Sequence, residues 1–365
     1  MNPVRMFAFA QAAVNRLPEA AGRGLFNVIG TVVGLSNQGG VRQLRRNQAR
    51  LQPGMNRWQA RRLSARAMRS YMRYYYEVFR LGKLNEKQIL ARVRVSNDAA
   101  LRAEFAAGRS VTAALTHAGN WDLAGAWSNM DLAEVHTIAE KLEPPELAEG
   151  FYEFRRSLGM TIYQLVKGGG ALRSLARDME ETVCLTPILA DRDLTASGIE
   201  VQLAGHAMLV AAGPALLAQR TGVPIYPIFT RYEKLRGQRR REAGTRWGLR
   251  IDVADAVYAR TTVQSSPRER EADLRRMSQE WVTELEPFLR EYLVDWHMLQ
   301  KVFVSDLDPE RLARARARAQ ELGRAPTAET NAVPGTPINT EKESPEHIRT
   351  SGSETEESRS SSKEE

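Results

Sequence analysis

The sequence predicts an α/β fold, a central mostly parallel β-sheet flanked by helices, with a helical and basic region ahead of it. From residue 110 onward, short runs rich in β-branched and small apolar residues alternate with helical runs. That alternation is the pattern of a buried, largely parallel sheet with covering helices. Ahead of it, apolar side chains recur every three or four positions, the period of a helix face. The hydrophobic fraction of 42% over 365 residues is enough to bury a substantial core.

In chain order, the clearest early helix spans 56–81. Ala60, Leu63, Ala67, Tyr71, Tyr74 and Val78 make one apolar face, and Arg62, Arg66, Arg69, Arg73 and Arg80 a stripe roughly opposite. Strands are predicted over 110–116, 135–139, 161–166, 183–190 and 224–231, with a late one over 247–253. Helices are predicted from 121, over 144–158, 170–179 and 213–221. Ser266, Pro267 and Glu269 supply an N-cap, a favoured first residue and a capping box for a long helix. Pro287 should kink or end it. A last basic helix is expected over 311–324. The organisation expected is a helical, basic, membrane-facing region over 1–100, a core over 101–305, a basic helix over 306–324 and an acidic tail over 325–365. The tail is rich in Ser, Thr, Glu and Pro and reads as disordered, because it cannot bury enough surface to offset its chain entropy.

Charge is uneven. Residues 1–100 hold 18 Lys/Arg against four Asp/Glu, a net of +14, while the whole chain carries +8. A basic lobe implies an anionic partner: nucleic acid, an anionic membrane or a phosphorylated substrate. A single cysteine, Cys184, excludes an internal disulfide. No run approaches the ~20 apolar residues of a spanning helix, so a peripheral protein without a transmembrane helix is expected. The arginine stripe has two readings, a solvated helix face or contact with anionic lipid. Residues 6–13 with 25–33 could lie in the interface beside it, or their apolar faces could simply cap the core.

The chemistry-bearing segment is Thr116-His117-Ala118-Gly119-Asn120-Trp121-Asp122. His117 sits where a predicted buried strand ends, and open α/β sheets place their ligands there. Asp122 falls in the first turn of the next helix, favoured by unpaired N–H groups and the dipole. Asp122 could accept a bond from one imidazole nitrogen and leave the other as a base for activating an alcohol. Backbone N–H groups of the Gly119–Trp121 turn could face a developing oxyanion. The competing reading is a helix-capping Asp beside an incidental His. Other candidates are weaker. Cys184 lies in an apolar strand and reads as a buried, inert thiol. His206 and His297 lack metal-ligand spacing, so no metal is expected. There is no G-x-S-x-G elbow, and Gly168-Gly169-Gly170 reads as a turn rather than a phosphate loop.

The His-x4-Asp pair resembles the signature of the glycerolipid acyltransferase superfamily. More narrowly, the chain resembles its lipid A lauroyl/myristoyl acyltransferase-like branch, and within that the actinobacterial phosphatidylinositol mannoside acyltransferases. The blocks HAGNWDLAGAW (117–127), TIAEKLEP (137–144), FRRSLG (154–159) and ADRDLTASGIEV (190–201) carry it. AGPALLA (212–218), GVPIYPI (222–228) and DWHMLQ (295–300) complete it, in family order over residues ~60–305. The resemblance implies a glycerolipid acyltransferase-like fold and an acyl-CoA donor, with no cofactor or metal. It implies a palmitoyl-type chain, a mannose hydroxyl as acceptor, and work on the cytoplasmic face of the cell membrane, at an anionic surface. It gives His117 the role of general base, the activated hydroxyl attacking the thioester directly without an acyl-enzyme, and Asp122 that of its orienting charge. Asn120 and Trp121 belong to the substrate site, with Glu140 near the acceptor and Arg155 in the same pocket. Lys141 and Arg192 would pair with CoA or inositol phosphates. Asp191 matches a position where Glu is expected. It is one methylene shorter, and Asp193 or Glu200 could share its role.

Two other functions compete with this one. A different lipid-linked sugar, such as a lipid A precursor, would keep the chemistry and change the acceptor. A non-enzymatic basic protein binding nucleic acid or membranes would explain the charge, but the sequence holds no helix-turn-helix, zinc module or RNA-binding signature. Nucleic acid is therefore not the expected partner.

Overall fold

The computed structural model describes residues 14, 16–139, 145–165, 170–193, 198–310, 312, 313 and 317. The predicted helix at 311–324, the acidic tail and the apolar segment 6–13 therefore lie wholly or largely outside the described residues.

Four helices lead the chain: α1 (Glu19–Leu35), α2 (Gly39–Leu51), α3 (Arg57–Leu81) and α4 (Glu86–Arg92). The α/β part follows as β1 (Val93–Ser96), α5 (Ala99–Ala106), β2 (Val111–Leu115), α6 (Trp121–Asp131), β3 (Glu134–Ala139) and α7 (Pro145–Ser157). Then come β4 (Thr161–Gln164), α8 (Gly170–Glu181), β5 (Cys184–Leu189), β6 (Ile199–Leu203), β7 (His206–Val210) and α9 (Gly213–Thr221). The chain continues with β8 (Ile225–Lys234), α10 (Gly237–Ala243), β9 (Trp247–Val253) and α11 (Pro267–Glu291).

Seven strands form one sheet in the order β1-β9-β8-β2-β5-β3-β4. Its pairings are parallel except β8 against β9. The expected α/β class and mostly parallel sheet are what the structure contains. β2 is central and fully buried, which is why it reads as an unbroken apolar run rather than an alternating one. Its side chains still alternate. Ala114 packs with Leu175, Ala215, Met277 and Trp281 on one face, while Val111, Ala113 and Leu115 pack with Leu101, Leu123 and Trp127 on the other.

Three features differ from the sequence reading. β1 is an extra strand, only four residues long, too short for its alternation to stand out. β6 and β7 form a separate antiparallel hairpin, reversed at Ala204 and Gly205 with φ of 55° and 79°, the left-handed pair that a tight hairpin demands. Pro287 does not stop α11, which runs on to Glu291. Leu285 and Leu289 are both buried on either side of it, so packing holds the last turn across the missing bond.

The arginine stripe is also not one solvated face. Arg62 and Arg66 are exposed. Arg73, though, turns inward, its guanidinium 3.5 Å from the Trp247 ring centroid and 4.6 Å from that of Tyr232. Arg80 donates to the Leu17 carbonyl. α3 is thus part of the core rather than a sheath over it.

α1 lies against α3 almost backbone to backbone. A Cβ at Gly30 would stand 2.8 Å from the Met68 carbonyl oxygen, and one at Gly34 only 2.5 Å from Ala65 Cα. The opposite face of α1 is apolar and open: Leu25, Val28, Ile29, Val32 and Leu35 are 39–64% exposed. No helix among the described residues is long and apolar enough to cross a membrane. Gly34→Val forces two backbones apart and is expected to cost about 1–3 kcal/mol as overpacking, read as a lower midpoint in urea or thermal unfolding.

Candidate active site

β2 delivers the chain to a reversal at its carboxyl end. Gly119 takes φ +56°, and a Cβ there would stand 2.8 Å from the Thr230 backbone, so only glycine fits. Asn120 then caps α6, its side-chain oxygen accepting from the Leu123 amide at 3.0 Å. Its Nδ2 donates to the buried Glu77 carboxylate at 3.0 Å. Thr230 donates its hydroxyl to the Ala118 carbonyl at 2.5 Å. A strap after α11 completes the clamp: Gly119 N–H donates to the Asp295 carbonyl at 3.0 Å, and His297 N–H to the His117 carbonyl at 2.8 Å.

The partner of His117 is not the one the spacing suggested. Its Nδ1 lies 2.5 Å from Asp191 Oδ1, and its backbone N–H donates to Asp191 Oδ2 at 2.9 Å. Asp191 is 2% exposed. The His117 side chain is 24% exposed, and its Nε2 has no hydrogen-bond partner among the described residues. The Trp121 ring stands edge-on at 5.7 Å.

Asp122 serves elsewhere. It is 1% exposed and accepts from Tyr74 Oη at 2.8 Å and Arg155 Nε at 2.7 Å. It sits in the first turn of α6, facing α3 and α7, whereas the imidazole reaches to the end of β5. Burial alone would lower the Arg155 pKa, but the adjacent Asp122 charge and hydrogen bond raise it above its ordinary value. Burial, then the Asp122 charge, pushes the Tyr74 hydroxyl well up. The missing methylene at Asp191 does not prevent contact, since the short side chain reaches the imidazole. Neither Asp193 nor Glu200 is bonded to His117 in the structure, and Glu200 points outward from β6.

The suggested oxyanion donor is also altered, because the Gly119 N–H is already taken by Asp295. Arg192 is half-buried directly after Asp191. Glu140 and Lys141 lie outside the described residues. Cys184 is fully buried, with burial pushing its thiol pKa up, which suits an inert core thiol.

A narrow apolar cavity of about 40 Å³ lies beside the reversal. It is lined by Trp121, Ala124 and Ser128 of α6 and by Leu115, Ile228 and Thr230 of the sheet.

Residues that sequence reasoning missed hold this site together. Ser70 donates to Asp295 at 2.5 Å and lies 3.1 Å from His297 Nε2. Trp296 Nε1 donates to Asp191 at 2.8 Å. Glu77 was findable as the one acid in an α3 that carries seven arginines. Trp296 lay within the DWHMLQ block without a role assigned to it, and Ser70 carried no comparable signal.

The model of a family described as bacterial lipid A biosynthesis acyltransferase matches residues 4–305. A protein of Mycolicibacterium smegmatis named phosphatidylinositol mannoside acyltransferase is 33% identical over 311 residues, 84% of this chain and 93% of its own. One of the same name from Mycobacterium tuberculosis is 31% identical over 315 residues, 86% of this chain and 92% of its own.

Two outcomes follow from the geometry. Asp122→Asn strands a largely buried guanidinium and should cost about 3 kcal/mol of stability, measured by denaturant unfolding. Burial, with help from the Arg73 and His117 charges, lowers the His297 pKa to about 3. The unfolded chain therefore binds a proton near pH 6.5 that the folded one refuses. Stability from this group is lost as pH falls from 6.5 toward 3, by up to about 1.4 kcal/mol per unit. In pH-dependent unfolding, His297→Gln should flatten that part of the curve.

Proposed function

Since the chain belongs to the bacterial lipid A biosynthesis acyltransferase family, we propose that it moves a long-chain, palmitoyl-type acyl group from acyl-CoA to a mannose hydroxyl of a phosphatidylinositol mannoside. The observation that carries this reading is the imidazole at the carboxyl end of β2, bonded through Nδ1 to a buried carboxylate and unpartnered at Nε2. The acceptor follows from the names of the relatives at 31–33% identity.

With Nδ1–H donated to Asp191, the Nε2 lone pair is left for the acceptor. It takes the proton of the mannose hydroxyl as that oxygen attacks the thioester carbonyl. The imidazolium so formed is balanced by Asp191. Collapse of the tetrahedral intermediate forms the ester and breaks the C–S bond, and the imidazolium returns its proton to the departing CoA sulfur. No acyl-enzyme is needed.

The apolar cavity beside α6 is far too small, at about 40 Å³, to hold a long acyl chain, so on this reading the chain lies along a surface that this cavity does not supply. Asp122 acts one step back in this scheme, fixing Arg155 and Tyr74 around the first turn of α6. The resemblance assigns Arg192 and Lys141 to phosphates and Glu140 to the acceptor, while Arg155 is committed to Asp122. The apolar outer face of α1 and the exposed Arg62 and Arg66 on neighbouring α3 suit an anionic membrane surface. On this reading the protein works on the cytoplasmic leaflet, where acyl-CoA is available.

His117→Ala is expected to abolish transfer from labelled palmitoyl-CoA while leaving the circular dichroism spectrum in place, with a somewhat lower melting midpoint because Asp191 Oδ1 loses its donor; unchanged turnover would falsify the assignment. A panel of glycolipid acceptors, with mass analysis of products, separates the mannoside from a lipid A precursor.

A further inference from the structure

Asp191 lies two residues beyond the end of β5, so the strand does not fix its side chain. It is 2% exposed, and among the described residues no Arg or Lys forms an ion pair with it. A buried carboxylate of this kind depends on the N–H groups around it. Two of them converge on a single oxygen. Oδ2 accepts from the His117 backbone at 2.9 Å and from Trp296 Nε1 at 2.8 Å. With Oδ2 held twice, the carboxylate cannot rotate, and Oδ1 is left facing His117 Nδ1 at 2.5 Å.

Trp296 is placed to do this by the strap that follows α11. It is fully buried and pairs as an antiparallel bridge with Ala118, the residue after the imidazole. The hydrogen bonds on either side, Gly119 to Asp295 and His297 to His117, set its register. One short segment thus grips the backbone of the catalytic loop and, through one indole, the carboxylate behind it.

We propose that Trp296 is a positioning residue for acyl transfer, its indole N–H holding the Asp191 carboxylate turned toward His117. This rests on the reading of His117 as general base. Without the N–H, the carboxylate keeps one donor on Oδ2. It is then free to turn, and the imidazolium of the transition state is less well balanced. Substrate does not touch the indole in this scheme, so binding is left alone.

The test separates shape from the N–H. Trp296→Phe removes both, whereas site-specific replacement by β-(3-benzothienyl)alanine keeps the bicyclic shape and exchanges the N–H for sulfur. The benzothienyl protein should stay folded and melt below wild type by less than Trp296→Phe, keep its KM for palmitoyl-CoA, and lose about tenfold in kcat, one hydrogen bond to a charged group. Trp296→Phe should lose at least as much kcat and also melt earlier. Wild-type kcat in the benzothienyl protein, or a loss that appears in KM instead, overturns the proposal and leaves Trp296 a packing residue. His117→Ala runs in the same assay. If it stays active, the general-base reading fails; if it is dead while the benzothienyl protein is unimpaired, only the role of Trp296 falls.

Discussion

A carboxylate taken out of water must be met by donors on every side that would otherwise have been hydrated. Asp191 is such a group. Its three partners, the His117 amide, the His117 ring and the Trp296 indole, come from segments far apart in the chain. The end of β2, the end of β5 and the strap after α11 must therefore all arrive before the charge can be buried. β2 and β5 pair directly, with Leu115 opposite Leu189, so the sheet itself sets the separation of His117 and Asp191. The strap then closes the third side. The geometry of this anion ties the fold to the chemistry.

α3 is the platform beneath it. Ser70, Tyr74 and Glu77 recur at spacings of four and three, on one helix face. Each makes a buried hydrogen bond to the site or its strap: Ser70 to Asp295, Tyr74 to Asp122, Glu77 to Asn120. Glu77 in turn accepts from Arg23 of α1 at 3.1 Å. The polar residues of an arginine-rich helix thus serve the interior, and the positive excess of the first hundred residues overstates what faces solvent.

Much of this was legible beforehand. Buried parallel strands announce themselves as apolar runs, so β2, β3, β5 and β8 stood out, as did the reversal after β2 with its glycine and capping Asn120. The mate of His117 was not legible from spacing. Four residues separate His117 from Asp122, yet that interval says nothing about which way the first turn of α6 faces, and Asp122 turned to Arg155. Asp191, 74 positions away, came into view through a family pattern alone. Arg73 was misplaced for a related reason, since helical periodicity assigns a face but cannot show that aromatic rings from β8 and β9 cover it.

The glycine seam between α1 and α3 has a mechanical consequence. Helices in contact through their main chains leave no flexible side chains between them to take up slack. The outer surface of α1 and the imidazole are thereby linked through a short, stiff column of packed atoms. The position of α1 on α3 is therefore fixed by main-chain contact, a spacing set by missing methyl groups.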